Sequence, residues 1–371
     1  LRMKHTWKLM TALLCLLSLL VTGCSGDLEQ LLLNEMDAAE KEEEGAEQAD
    51  PEADAVIGSE ELRLFPLTGE SALSNMGEHR PYAFIVNNMS VAMPLCGISH
   101  AEWVLEVPDQ NSFTNLMFLI TDPEEVSRVG AIDGARSYQV EIALGYDAIL
   151  VHSSEGDEGT ERMLDTYGLA VIDAANNAFN SGTFFLDQER QLHGKEYSLF
   201  ADGSFCVSSA DEHLGYRIIH NSAYDRTYGL TFGRWEGLAS GKQAEDVVVT
   251  FAGGKTTKFI YDKTAETYSA SQYGEPMTDG GEEPVSFSNV IAIYATTYPA
   301  DDEGHMVMDL TEGTGYYFAG GAAVQIRWYK DGVYDVFHFE TRDGEPIVLK
   351  QGITYVGIIQ CGGYKGSIDF Q

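Results

Sequence analysis

Four short apolar runs, at 82–86, 103–107, 116–121 and 148–151, constrain this chain more than anything else in it. Each has the length and the near-continuous apolar character of a strand covered on both faces. Between the third and fourth, Ser137 can cap a short helix that runs to Leu144 and stops at Gly145. A second helix over 160–167 stops at Gly168, ahead of a further strand at 170–172. Strands that alternate with short helices predict a sheet covered by helices. The polar residues at the strand ends then collect along one edge.

Beyond the small and polar stretch EGLASGKQAE at 236–245 the pattern changes to strands. Runs at 247–251, 258–261, 290–296, 306–310, 316–319, 324–329, 334–339 and 354–359 are rich in β-branched and aromatic residues, and Asp331-Gly332 reads as a hairpin turn. The expected class is α+β: a mixed α/β domain over 62–235, then a mostly antiparallel β domain over 246–371, each with its own core. The aromatic residues of the second part, among them Tyr298, Tyr316, Tyr317, Phe318, Trp328, Tyr329, Tyr334 and Phe337, are read as core and cross-strand pairs rather than a stacking platform.

The first 61 residues have a different character. Arg2, Lys4 and Lys8 precede an uncharged run over 9–21, the pattern of a secretory signal over 1–23. The run ends in Val21-Thr22-Gly23-Cys24, which resembles the lipobox of bacterial lipoproteins. Cys24 would then be acylated and become the first mature residue, placing the protein on the outer face of the cell membrane. Residues 24–61 hold fourteen acids and one lysine and read as a disordered spacer. Loss of residues 1–23 would remove three cations and no acid, taking the formal charge from −35 to about −38. Such a charge excludes nucleic acid as a partner and leaves the lipid on Cys24 as the attachment to the membrane.

The segments RPYAFIVNN, CGISHAEWVLE, IDGARSY and LGYDAILVHSS, in that order, resemble the YerB-like bacterial lipoproteins, and the similarity runs through Arg190 and His193 across 62–360. The resemblance implies a two-domain lipoprotein and no assigned reaction. This chain departs from the family pattern in having Asn115 and Asp133 where arginines are usual, and Met277 with Asp279 where the family has His-x-Asp. Two cations and one imidazole are missing as a result.

The remaining candidates for a ligand site are Arg136, Glu106, Asn87, Asn88, His152 and His193. Arginine offers a planar fork for carboxylate or phosphate, and histidine can exchange a proton near neutral pH. The competing reading is structural, with Arg136 paired to Glu106 or Asp147 and the asparagines capping strand ends. No HExxH, GxSxG, SxxK, CxxC or EF-hand pattern occurs, so no catalytic residue, metal or cofactor is assigned. Cys96, Cys206 and Cys361 have no paired spacing and read as small apolar residues. The expected function is a lipid-anchored binding or scaffolding protein of the cell envelope, engaging an envelope protein or a cell-wall ligand. The alternative is an envelope enzyme acting on an anionic substrate with a degenerate site around Arg136, His152 and His193.

Overall fold

The longest structural element is a mixed sheet that runs through both halves of the chain. The computed structural model describes residues 63–72, 78–109, 113–153, 158–175, 182–221, 227–233, 237–238, 241–299, 306–361 and 366–371. The signal segment 1–23, Cys24 and the spacer 24–61 lie outside these. Among the described residues no helix is long and apolar enough to cross a membrane.

In chain order the main elements are β1 Tyr82–Asn87, β2 Trp103–Pro108, β3 Thr114–Ile120, α1 Ser137–Gly145, β4 Ile149–His152, α2 Glu158–Tyr167 and β5 Val171–Asp173. They continue with β6 Asp246–Thr250, β7 Thr256–Asp262, β8 Thr267–Gln272, β9 Asn289–Pro299, β10 Glu312–Ala319, β11 Ala322–Tyr329, β12 Thr354–Cys361 and β13 Ser367–Phe370. The large sheet has the order β11-β10-β9-β12-β2-β3-β1-β4-β5. Strands β6, β7, β8 and β13 form a second, antiparallel sheet.

Side-chain alternation sends each strand of the large sheet into two cores. Ala83, Ile85, Trp103, Leu105, Met117 and Leu119 face α1, whose Val140, Ile142 and Leu144 pack onto them. Phe84, Val86, Val104, Leu116 and Phe118 point to the opposite face, into a core that also holds Val247, Val249, Phe259 and Tyr268 of the second sheet. The result is a sheet-dominated, three-layered body. Each large side chain sealed this way contributes about 1.5–3 kcal/mol of transfer free energy.

The position of β12 departs from the expected pair of separate domains. It lies between β9 and β2 and is parallel to both, with Tyr355 opposite Val104 on one side and Val290 on the other. A strand from near the C-terminus thus joins 62–235 to 246–371. All but its last residue are buried, because it has neighbours on both edges and both faces. Its apolar sequence carries that information, but not the identity of its neighbours.

The hairpin expected at Asp331-Gly332 is also different. The return strand is His338–Thr341, paired to β11, and 334–337 is not strand. Asp335 accepts hydrogen bonds from the Asp331 amide at 2.7 Å and from the His338 ring at 2.9 Å, while Val336 and Phe337 turn into the core beside α1. Local carboxylate bonding and burial outweigh the two-residue turn. The aromatic expectation holds for Tyr317, Phe318, Trp328 and Phe337, which are buried, whereas Tyr298 and Tyr334 are half exposed. Cys96 and Cys206 are buried free thiols, and Cys361 is partly exposed.

Because β12 completes a sheet begun by β2, fragments 62–240 and 241–371 expressed apart should each fail to melt cooperatively. Circular dichroism melts of the two fragments and of the intact chain test this. Two cooperative fragment transitions would show that the shared sheet is dispensable and that the halves are independent domains.

Candidate functional site

Strands β1, β4 and β5 are parallel neighbours, so their carboxyl ends lie on one edge of the sheet. In open α/β sheets this is where ligands bind. Asn87 ends β1, His152 ends β4 and Asp173 ends β5. The segment leading into α1 crosses these ends: the Asn87 amide donates to Ala131, the Asp133 amide to Ile85 and the Ser153 amide to Asp133, at 2.8–2.9 Å.

Asp133 is thereby pressed against the strand ends. Its Oδ1 accepts the Gly134 amide at 2.8 Å and its Oδ2 accepts Asn87 Nδ2 at 2.9 Å. Burial pushes its pKa up to about 6, with Asp109 adding to the rise while the Gly134 amide, Arg136 and Asn87 oppose it. His152 is 3% exposed, and desolvation lowers its pKa against the opposing charge of Asp173. Its Nδ1 accepts the Ala135 amide at 3.4 Å, which places the proton of the neutral ring on Nε2.

Arg136 immediately precedes α1. Its backbone amide donates to Gln139 Oε1 at 2.8 Å, and its Nε donates to Asp109 Oδ1 at 2.5 Å. Burial disfavours the guanidinium charge, and Asp109 more than offsets that. The structural reading of Arg136 as an ion-pair member is therefore right in kind and wrong in partner. Asp147 is occupied by Arg217 at 2.6 Å, His220 at 3.2 Å and Arg80 at 3.3 Å.

Glu106 is on the other face of the sheet, fully buried, and Asn88 is with it. Oε1 of Glu106 accepts Thr114 Oγ1 at 2.7 Å, Asn88 Nδ2 at 3.2 Å and the Lys255 ammonium. Oε2 accepts Thr257 Oγ1 at 2.6 Å and the Tyr355 phenol at 2.7 Å. Tyr355 lies far above its usual pKa, through burial and then the Glu106 charge, so it remains a donor. Opposite Glu106 in register stands Gly357, where a Cβ would lie 3.2 Å from Tyr355 Oη; the absent side chain leaves room for the phenol. Burial also lowers the pKa of Lys255, against the pull of Glu106.

The six sequence candidates thus separate into three places. Asn87, Arg136 and His152 gather at the strand ends around Asp133. Asn88 and Glu106 belong to the buried cluster. His193 is exposed on the turn Arg190–His193. Lys255, Thr257 and Tyr355 are absent from the sequence reading. The available signal was Thr257, a hydroxyl at an inward position of β7 where alternation calls for an apolar side chain. Among the described residues no group of three His, Cys, Asp or Glu could hold a metal ion.

Two outcomes are expected. Lys255→Met leaves Glu106 charged and short of its cation, and should cost about 3–5 kcal/mol in denaturant unfolding; adding Glu106→Gln should recover part of that loss. A double variant no better than Lys255→Met would mean that the cation is not what Glu106 requires. Asp133 has a folded pKa of about 6 against an ordinary 3.8, so its protonation stabilises the fold as pH falls from about 6 to about 4. Asp133→Asn should therefore compare more favourably with the wild type at pH 8 than at pH 4.5, by up to about 2–3 kcal/mol. A difference independent of pH would place the titration elsewhere.

Comparison with known proteins adds the family. Residues 67–208 match the N-terminal domain, and residues 247–356 the C-terminal domain, of a family described as a protein of unknown function, DUF3048. A Bacillus subtilis (strain 168) protein named "Putative lipoprotein YerB" is 26% identical over 313 residues, covering 82% of this chain and 89% of that protein. The crystal structure of the YerB protein from Bacillus subtilis has the same fold, with a TM-score of 0.71 at 23% identity over 83% of this chain and 99% of that one. The chain belongs to the YerB-like family that joins the two DUF3048 domains, a family of unknown function.

Proposed function

We propose that this is a lipid-anchored, extracytoplasmic protein of the bacterial cell envelope that binds or scaffolds other envelope components and catalyses no reaction. The observation that carries the reading is internal pairing. Arg136 is held by Asp109, and Glu106 by Lys255, so neither charge is presented to a substrate. Anchoring through Cys24 is supported by the VTGC sequence and by the name of the Bacillus subtilis relative. With a formal charge of −35, the chain gains nothing from an anionic lipid surface, so attachment needs the acyl chain.

One arrangement favours the rival envelope enzyme. A neutral His152 and an Asp133 titrating near 6 at the carboxyl edge of parallel strands are groups that could exchange a proton with a substrate. Against it, the third member of that proposed site, His193, belongs to a separate turn. Arg136, which would hold the anion, already has its carboxylate.

Complementation of a deletion strain separates the readings. Cys24→Ala should release the protein from the membrane in a detergent partition assay and fail to restore function. Arg136→Ala should lower stability by about 3 kcal/mol through loss of a largely buried pair, with any loss of function following that destabilisation. If Arg136→Ala and His152→Ala keep wild-type stability and still fail to complement, the strand edge is a working site and the scaffold reading falls. If Cys24→Ala stays membrane-bound, the anchor is wrong.

A further inference from the structure

A groove of about 570 Å³ opens between the two halves of the chain, and none of the six sequence candidates lines it. One wall is the turn Ile98–His100 with the segment after Pro123–Glu125; the other is formed by 279–286. Asp279 pins the walls together. Its Oδ1 accepts the Gly97 amide at 2.9 Å, and its Oδ2 accepts the Ser99 amide at 3.0 Å and the Ser99 hydroxyl at 2.5 Å. The Gly280 amide donates to Leu95 at 2.7 Å. Hydrogen bonds within the protein thus fix the two walls against each other.

Its charge is unbalanced. Arg128, on one wall, is engaged by Asp187, and Asp279 has three donors. Glu125, Glu282 and Glu283 are exposed on opposite walls and have no ion-pair partner among the described residues. Between them lies an apolar floor of Val126, Val285 and Ile353. Pockets of roughly 300–1,000 Å³ with apolar linings and a few charged groups are typical of small-ligand and peptide-segment sites.

We propose that this groove binds a basic peptide segment in which apolar side chains alternate with lysine or arginine, the apolar ones on the floor and the cations against Glu125, Glu282 and Glu283. The proposal rests on the binding reading above and gives that reading a ligand class. An extended segment turns successive side chains to opposite sides, so alternation sets the apolar ones on the floor and the long cationic ones at the rim, in reach of the carboxylates on either wall. Binding of this kind falls with added salt, because the carboxylates are at the surface.

The test uses the full-length protein in detergent and fluorescein-labelled Val-Lys-Val-Lys, with Val-Glu-Val-Glu and Val-Ser-Val-Ser as comparisons, followed by anisotropy. Only the lysine peptide should bind, with affinity falling as salt rises. The exposed triple variant Glu125→Gln, Glu282→Gln, Glu283→Gln should weaken it about tenfold or more, as expected for the loss of three surface charges. Ser127→Trp keeps all three carboxylates but fills the groove, and should also abolish binding, which separates a built site from diffuse charge. Thermal melts confirm that both variants remain folded. The proposal is overturned if no peptide binds, if the serine peptide binds equally well, or if either variant keeps wild-type affinity. Full complementation of the deletion strain by Ser127→Trp would overturn the groove alone and leave the binding reading to the Arg136 and His152 test.

Discussion

A carboxylate sealed from water must find its hydrogen-bond donors within the protein, and Glu106 finds them on both sides of the chain. Its five partners are Asn88 and Thr114 from the first half and Lys255, Thr257 and Tyr355 from the second. A buried, unpaired charge costs several kcal/mol, so the carboxylate is tolerable only when β2, β7 and β12 are all in place. That makes the cluster a condition on assembly more than a source of stability. An apolar side chain at 106 would accept many arrangements of the second sheet over the first, whereas Glu106 accepts the one that brings the Lys255 ammonium and the Thr257 hydroxyl to its two oxygens. β12 supplies the other half of the constraint, because it cannot pair with β9 and β2 together unless both halves are folded around it.

The strand-end edge follows a different logic. Its polar groups are arranged around a carboxyl group that burial makes easier to protonate, with Asp133 pushed up to about 6, while burial lowers the pKa of His152. Asn87 bonds Asp133 and also accepts the Met89 amide, fixing the exit of β1. Arg136 bonds Asp109 through its side chain and Gln139 through its backbone, fixing the start of α1. At this edge Asn87 and Arg136 thus spend their hydrogen bonds on fixing the exit of β1 and the start of α1. A family pattern with arginine in place of Asp133 would put a cation where this chain has a carboxyl group that titrates near 6.

The elements were legible in the sequence where their cause is local. Runs at 82–86, 103–107 and 116–121 became β1, β2 and β3, and the helix from Ser137 stops at Gly145 as its glycine signals. Sheet order was not legible, because it depends on which edges remain open after every other strand has paired. β12 reads simply as the last strand of a β domain, and its sequence is equally compatible with an edge or a centre. Lys255 illustrates the same limit for the site. Following Gly253 and Gly254 it reads as a turn lysine, and only the approach of β2 to β7 shows that its ammonium is buried against Glu106. Distant ion pairs leave no periodicity, so a single sequence gives Arg136 a choice of acids without selecting Asp109.

The excess of acids over cations decides what the surface can attract. Arg80, Arg136, Lys255 and Lys330 are buried or nearly so and paired with Asp147, Asp109, Glu106 and Glu141. In a chain of 23 basic and 58 acidic residues, each such pair takes one cation and one acid out of the exterior, so the exterior keeps the whole excess of 35 acids that the composition sets. An exterior of that sign repels anionic lipid, nucleic acid and anionic substrates, and it speeds encounter with cations. It also discriminates, since a neutral surface would admit ligands of either sign to the same groove. The interior pairs use cations and acids in equal number, so the selectivity of the exterior is set by the acids left over.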